Sequence, residues 1–107
     1  TDLRPGDVDV AQCYDGFSFL AVLWAESLGL CGRGEGTALF ASEGRTLNTD
    51  GGQLSGGRLH GFGLLHEAVL QVRGTAGDRQ VDGAEVAVVT AGGGPMCGSL
   101  LLTPRSD

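Results

Sequence analysis

From Asp7 to Cys13 polar and apolar side chains alternate with a period of two, which predicts a strand. The rhythm then changes. Phe17, Leu20, Ala21, Trp24 and Leu28 fall at helical spacing and predict an amphipathic helix over Phe17–Leu30. Asp15 or Ser18 is placed to cap it, and Gly29 and Gly32 to end it. Gly32–Thr37 reads as a glycine-rich turn, and Ala38–Asn48 as one or two short extended pieces. A second helix is predicted over Leu64–Arg73, with Leu65, Ala68, Val69 and Val72 as its apolar stripe and Gly74 as its stop. After a polar connection over Thr75–Gly83, the β-branched run Glu85–Ala91 predicts a central strand. Gly92–Gly94 turn the chain into a last strand over Ser99–Thr103. The order is β-α-β-α-β-β, an α/β fold with a mixed sheet needing cover on both faces. Its first strand lacks the βα unit that ought to precede it, so 1–107 is expected to be one domain cut from a longer chain.

Composition narrows the class. With 107 residues, 41% hydrophobic and 19% charged, the chain suits a single folded domain and not a disordered one. A net charge of −6 argues against a nucleic-acid partner, which needs basic patches. No apolar run reaches the roughly 18 residues of a membrane span, and no basic-then-apolar signal segment opens the chain. The three cysteines, Cys13, Cys31 and Cys97, have no C-x-x-C spacing. They indicate neither a disulfide framework nor a zinc site, and read as reduced thiols of a cytoplasmic protein. Cys13 and Cys31 are expected in the core or an interface, and Cys97 as a buried structural thiol.

The candidate chemistry gathers at Asn48–Gly63, which holds six glycines, Arg58 and His60 just before the second predicted helix. Glycine admits positive φ and leaves room for close approach, so such a loop is where backbone meets a ligand. His60 is either a base or a packing residue at a helix start. Arg58 is a solvated charge, a phosphate contact or a catalytic group. Tyr14 is a half-buried aromatic at a strand end or a functional phenol. His66 and Glu67 sit mid-helix and are expected on a solvated face. G-R-G-E-G (Gly32–Gly36) lacks the spacing and the preceding strand of a dinucleotide fingerprint.

Four segments together resemble the C-terminal half of the thiolase superfamily. P-G-D-V-D-V-A-Q-C-Y-D-G-F-S (Pro5–Ser18) resembles the family's segment ending in N-E-A-F. N-T-D-G-G-Q-L-S-G-G-R-L-H-G (Asn48–Gly61) resembles N-x-x-G-G-x-x-x-x-G-H-P-x-G. R-Q-V-D-G-A-E-V-A-V-V (Arg79–Val89) is similar to a strand of the lipid-transfer-protein branch, and T-A-G-G-G (Thr90–Gly94) stands in the place of C-x-G-G-G. The resemblance places Tyr14 at the family's asparagine, Arg58 at its histidine and Thr90 at its second cysteine. Two of the changes remove acid–base capacity: arginine cannot accept a proton, and a threonine hydroxyl is too weak an acid or base to exchange one at carbon.

The resemblance therefore implies acyl-CoA thioesters as substrates, with aldolase-type carbon–carbon cleavage or formation in place of thiolysis. The alternative is a non-catalytic acyl-CoA- or lipid-binding or scaffolding subunit. It implies Tyr14, His60 and Arg58 as catalytic candidates. Gly51, Gly52, Gly61, Thr90 and Gly92 are implied in substrate or oxyanion binding. No metal and no cofactor beyond the coenzyme A thioester itself are expected. The implied partners are an N-terminal thiolase half, further copies in a homo-oligomer, and a small OB-fold acyl-CoA-associated protein.

Overall fold

The structure, a computed structural model, describes residues 1–43 and 46–105. Strand β1 (Val10–Gln12) pairs in parallel with β2 (Ala87–Gly93), and β2 pairs antiparallel with β3 (Met96–Leu102). The sheet order is β1-β2-β3, and the α/β class with a mixed sheet stands. Among the described residues there are four α-helices, α1 (Ser18–Ser27), α2 (Gly36–Glu43), α3 (Gly52–Gly56) and α4 (Phe62–Val72), and two short 3-10 turns, Pro5–Asp7 and Gly77–Arg79.

Alternation along β1 and β2 builds two cores, one on each face of the sheet. Val10, Tyr14, Ala87 and Val89 pack with Leu64 and Ala68 of α4 on one side. Ala11, Cys13 and Val88 pack with Ala21 of α1 and Leu39 and Phe40 of α2 on the other. Successive residues of one strand thus enter opposite cores, which is the period-two signal made physical. β3 is covered by no helix along most of its length. Met96 is 83% exposed and Leu100 54%.

The extended pieces expected over Ala38–Asn48 are replaced by α2; residues 44 and 45 of that segment lie outside the described residues. The one strand-like contact left there is a single parallel bridge between Leu47 and Ala11. The reason is tertiary. Gly34 and Gly36 donate their backbone N–H to the Glu26 carboxylate of α1, at 2.7 and 3.3 Å, so α1 caps α2 from outside. A Cβ on Gly36 would stand 2.7 Å from Val22 Cγ1, so glycine is what lets the two helices meet.

Helix ends also differ in part. Phe17 is the N-cap of α1 and makes no side-chain cap, so neither Asp15 nor Ser18 fills that role. At the other end Gly29 has φ 75°, and Leu30 and Gly29 donate N–H to Ala25 and Glu26 carbonyls. That is the glycine stop the sequence predicts. Gly74 ends α4 in the same way, with φ 70°. In the hairpin, Gly92 and Gly93 belong to β2 and the turn is Gly94–Pro95. Positive φ at Gly94 followed by the fixed negative φ of proline is the sign pattern of a type II′ turn, which suits hairpin twist. β3 consequently begins at Met96, three residues before the expected strand.

The inward face of α4 is the largest correction. Leu64, Glu67, Ala68 and Gln71 are buried, whereas Leu65 and Val72 are only partly so. Glu67, expected in solvent, is 1% exposed. Its carboxylate accepts hydrogen bonds from Thr49 Oγ1 (2.7 Å), Gln71 Nε2 (3.2 Å), and Arg79 Nε and guanidinium (2.9–3.3 Å). Thr49 in turn accepts from Gln12 Nε2 at 2.8 Å, which carries the network into β1. Burial by itself raises the Glu67 pKa. Hydrogen bonds from Arg79, Thr49 and Gln71, with the guanidinium charge, outweigh burial and hold it below its ordinary value.

A depressed carboxyl pKa stabilises the fold above the unfolded value, and the contribution disappears as pH falls through the folded value. Glu67→Gln is expected to cost about 1–3 kcal/mol at neutral pH, because it removes a buried charge-assisted acceptor. The difference from wild type should start to shrink as pH falls below the ordinary carboxyl value of the unfolded chain, and vanish only as the native carboxyl itself protonates at still lower pH. Thermal unfolding of both proteins at pH 7 and pH 3 checks this; an equal difference at the two pH values contradicts it.

Candidate functional site

β1 runs out into Cys13-Tyr14-Asp15-Gly16, and three tethers fix this exit. The Asn48 amide brackets Cys13: Cys13 N–H donates to Asn48 Oδ1 at 2.6 Å, and Asn48 Nδ2 donates to the Cys13 carbonyl at 2.9 Å. This extends the Leu47 bridge by one side chain, with Asn48 in the left-handed region at φ 46°. Tyr14 N–H donates to Thr90 Oγ1 of β2 at 2.8 Å. Asp15 accepts Gln53 N–H at 2.8 Å and Leu54 N–H at 3.3 Å, capping α3 across 38 positions of sequence.

The glycine loop is shaped by these contacts. Gly51 and Gly52 have φ 90° and 69°, and a Cβ on Gly52 would run into the Asp15 carboxylate. Their N–H groups are already bonded, Gly51 to the Asn48 carbonyl at 2.8 Å and Gly52 to Asp50 Oδ1 at 2.8 Å. Both glycines therefore serve the turn, and neither N–H is free to donate to an oxyanion. Further on, His60 (φ 53°) and Gly61 (φ 93°) turn the chain into α4. A Cβ on Gly61 would stand 3.1 Å from Ala91 Cβ, so this glycine brings the start of α4 onto β2.

Between the start of α4 and the β2–β3 hairpin lies a cavity of about 310 Å³, with His60, Gly61, Leu65, Thr90, Ala91 and Leu100 in its walls. Of the eight residues singled out from sequence, His60, Gly61 and Thr90 meet here. Tyr14 is not in the cavity wall; only its backbone reaches the group, through the N–H that donates to Thr90 Oγ1. Its side chain is buried against Gly16, and among the described residues no hydrogen bond involves its hydroxyl. Arg58 is exposed on the loop and has no hydrogen bond or ion pair among the described residues. Gly92 lies one position beyond the cavity wall. Its carbonyl accepts the Trp24 indole N–H at 2.8 Å, and a Cβ there would meet the Met96 carbonyl. A glycine here lets β2 and β3 approach closely within the hairpin.

The cysteines separate sharply. Cys13 is wholly buried; burial first, then the Asp15 charge and Cys31, push its pKa from 9.0 up to about 12. Cys31 is partly buried, and its pKa is raised by desolvation and by Glu26 and Glu35. Cys97, expected buried, is exposed, because it lies on the uncovered strand β3 opposite Gly92. Among the described residues no group of three or more His, Cys, Asp or Glu could hold a metal ion.

Asp15, Asn48 and Glu67 are the functional-site supports that sequence reading missed. Asp15 was placed on the wrong helix, and no spacing along the chain reveals that it meets Gln53. The legible signal was the pair Gly51-Gly52 itself: two adjacent glycines call for positive φ or a close neighbour, and here both apply.

Residues 1–102 match the thiolase C-terminal domain-like family, and the chain belongs to that family. It is 40% identical over 106 residues to the 17-hydroxy-3-oxo-4-pregnene-20-carboxyl-CoA lyase of Mycobacterium tuberculosis, spanning 94% of this chain and 27% of that protein. It is 44% identical over 95 residues to sterol carrier protein 2 of Oryctolagus cuniculus, spanning 80% of this chain and 17% of that protein. A solved Ltp2-ChsH2(DUF35) aldolase superposes with a TM-score of 0.82 at 39% identity, over 96% of this chain and 28% of that one. The chain thus corresponds to under a third of the length of each of these relatives.

Thiol reactivity tests the cysteine assignments. With a pKa near 12, only about one part in 10⁴ of Cys13 is thiolate at pH 8, whereas Cys97 is open to solvent. Brief alkylation at pH 8 followed by peptide mass mapping should modify Cys97 and spare Cys13 until the protein is unfolded. Modification of Cys13 in the native protein contradicts the structure.

Proposed function

We propose that this chain is the C-terminal domain of an enzyme that breaks or forms carbon–carbon bonds of acyl-CoA thioesters by aldol chemistry and not by thiolysis. The observation that carries the reading is Thr90. It stands where the family resemblance implies the proton-exchanging cysteine. It is 1% exposed, and its hydroxyl oxygen accepts the Tyr14 N–H. A buried threonine engaged in this way offers no acid–base group for thiolytic chemistry at the substrate's α-carbon.

In the cleavage direction a base takes the proton of a β-hydroxyl group and the Cα–Cβ bond breaks. Its electron pair moves through Cα to the thioester oxygen as an enolate, while the β-carbon leaves as a carbonyl. The enolate then takes a proton at Cα. Tyr14 and His60 are the candidate bases, the first tied to Thr90 and the second in the cavity wall. Gly61 and Thr90 flank the place for the thioester. The start of α4 lies at the same wall, and the partial positive charge of a helix N-terminus favours a developing oxyanion. Arg58, exposed and unpaired among the described residues, suits a coenzyme A phosphate better than a proton-transfer role. The thioester is substrate, and the reading calls for no other cofactor.

An N-terminal thiolase half would supply the other side of the site. The exposed Met96, Leu100, Phe62 and Leu54 are apolar enough to be covered by a further chain or domain. A heteromeric arrangement with a small OB-fold acyl-CoA-associated protein accords with the two components named in the Ltp2-ChsH2(DUF35) aldolase. The three free thiols suit a cytoplasmic setting. No helix among the described residues is long and apolar enough to cross a membrane.

A second reading, a non-catalytic acyl-CoA- or lipid-binding or scaffolding subunit, is favoured by Arg58. At the family's histidine position it lies exposed and outside the cavity wall. Tyr14→Phe and His60→Ala in the full-length protein separate the readings. Aldol chemistry predicts a roughly 10²–10⁴-fold drop in β-hydroxyacyl-CoA cleavage for whichever residue is the base, with thioester binding retained. Unchanged turnover in both variants, or no lyase activity in the wild type alongside acyl-CoA binding, supports the subunit reading.

The exposed apolar strand gives a separate expectation. The 107-residue chain by itself should elute from size-exclusion chromatography as an oligomer or aggregate, and a clean stable monomer would show that β3 needs no cover.

A further inference from the structure

Asp15 is a buried carboxylate that the reaction outlined above does not use. It is 4% exposed, and among the described residues no cation pairs with it. Its compensation comes from backbone alone, the N–H groups of Gln53 and Leu54. A carboxylate taken out of water is tolerated only while such donors stay in place, so Asp15 and the first turn of α3 hold each other. The approach is close on the other side as well. Gly52 has no room for a Cβ against the carboxylate, which leaves the loop no slack to slide along it.

Asp15 also sits inside the turn that aims Tyr14. The Tyr14 N–H is held by Thr90, and its ring lies against Gly16, where a Cβ would stand 2.6 Å from Cε1 and 2.9 Å from the hydroxyl oxygen. Between those two fixed points the chain has a single anchored residue, and that residue is Asp15. We infer that Asp15 is a positioning residue: its carboxylate locks the Tyr14–Gly16 turn to the glycine loop and so sets where the Tyr14 phenol stands relative to Arg58 and His60. The effect on turnover rests on the aldol-type reading; the effect on the Tyr14 ring does not.

The test uses the full-length protein labelled with 3-fluorotyrosine. Tyr14 is the single tyrosine of this chain, and its ¹⁹F resonance is the one missing from Tyr14→Phe. Asp15→Asn keeps one acceptor oxygen, and Asp15→Ser is an independent short cap should the first variant fold poorly. Both are expected to move the Tyr14 resonance. Asp15→Asn should also lower kcat roughly 10–100-fold with KM little changed, as misplacement of a reacting group does. In the Tyr14→Phe background the same substitution should cost nothing further, because there is no phenol left to misplace. An unmoved Tyr14 resonance in both Asp15 variants overturns the inference. So does an equal loss of kcat from Asp15→Asn with and without Tyr14. If Tyr14→Phe by itself leaves turnover unchanged, the catalytic role of Tyr14 falls, and the resonance still decides whether Asp15 places the ring.

Discussion

The buried carboxylate of Glu67 is the constraint on which the arrangement of this domain depends. One acceptor group gathers Thr49 from the start of the glycine loop, Gln71 from its own helix and Arg79 from the turn before β2. Through Thr49 it also reaches Gln12 of β1. These are the elements that must keep register if Tyr14, at the end of β1, and His60, at the start of α4, are to face one site. A salt bridge is weak ground for stability when its desolvation is counted, but leaving this carboxylate unpaired would be far worse. This packing of loop, helix and turn satisfies it.

A second tier of polar contacts transmits that order to the site. Asn48 stands in for a missing strand neighbour of Cys13, Thr90 holds the Tyr14 backbone, and Asp15 holds α3. Each is a side chain bonded to backbone, which fixes chain position without demanding a particular neighbour's side chain. Such fixing does not depend on which side chains Tyr14, Arg58 and neighbouring loop residues carry.

The glycines divide by task. Gly51 and Gly52 let the loop wrap the Asp15 carboxylate, and Gly61 lets α4 approach β2. Gly92 lets β2 and β3 approach within the hairpin, and Gly93 lets α1 lie on it, with Leu20 where a Cβ on Gly93 would be. Of these, only Gly61 stands in the wall of the cavity that holds His60 and Thr90. In the glycine-rich loop, Gly51, Gly52 and Gly61 serve close packing. Local conformational need and ligand approach leave the same mark on a sequence.

The sequence by itself determined the strands β1 and β2, the helices α1 and α4 and their glycine stops, because period and glycine chemistry are local properties. It also determined the family, since four spaced segments must coincide for that. Tertiary structure decided the rest. Whether the chain from Ala38 onward became strand or helix turned on Glu26, at least 12 residues earlier and on another helix, which holds the N–H groups of Gly34 and Gly36. Which face of α4 points inward turned on Arg79 and Thr49, which made a buried place for Glu67 that no hydropathy pattern contains. Asp15 was legible as a cap but not as the cap of α3, and Cys97 was legible as a thiol but not as an exposed one. Cys97 is exposed because no helix covers its part of β3. For the other three the physical reason is common: a polar group's place depends on which distant partner satisfies it, and that partner is chosen by the fold.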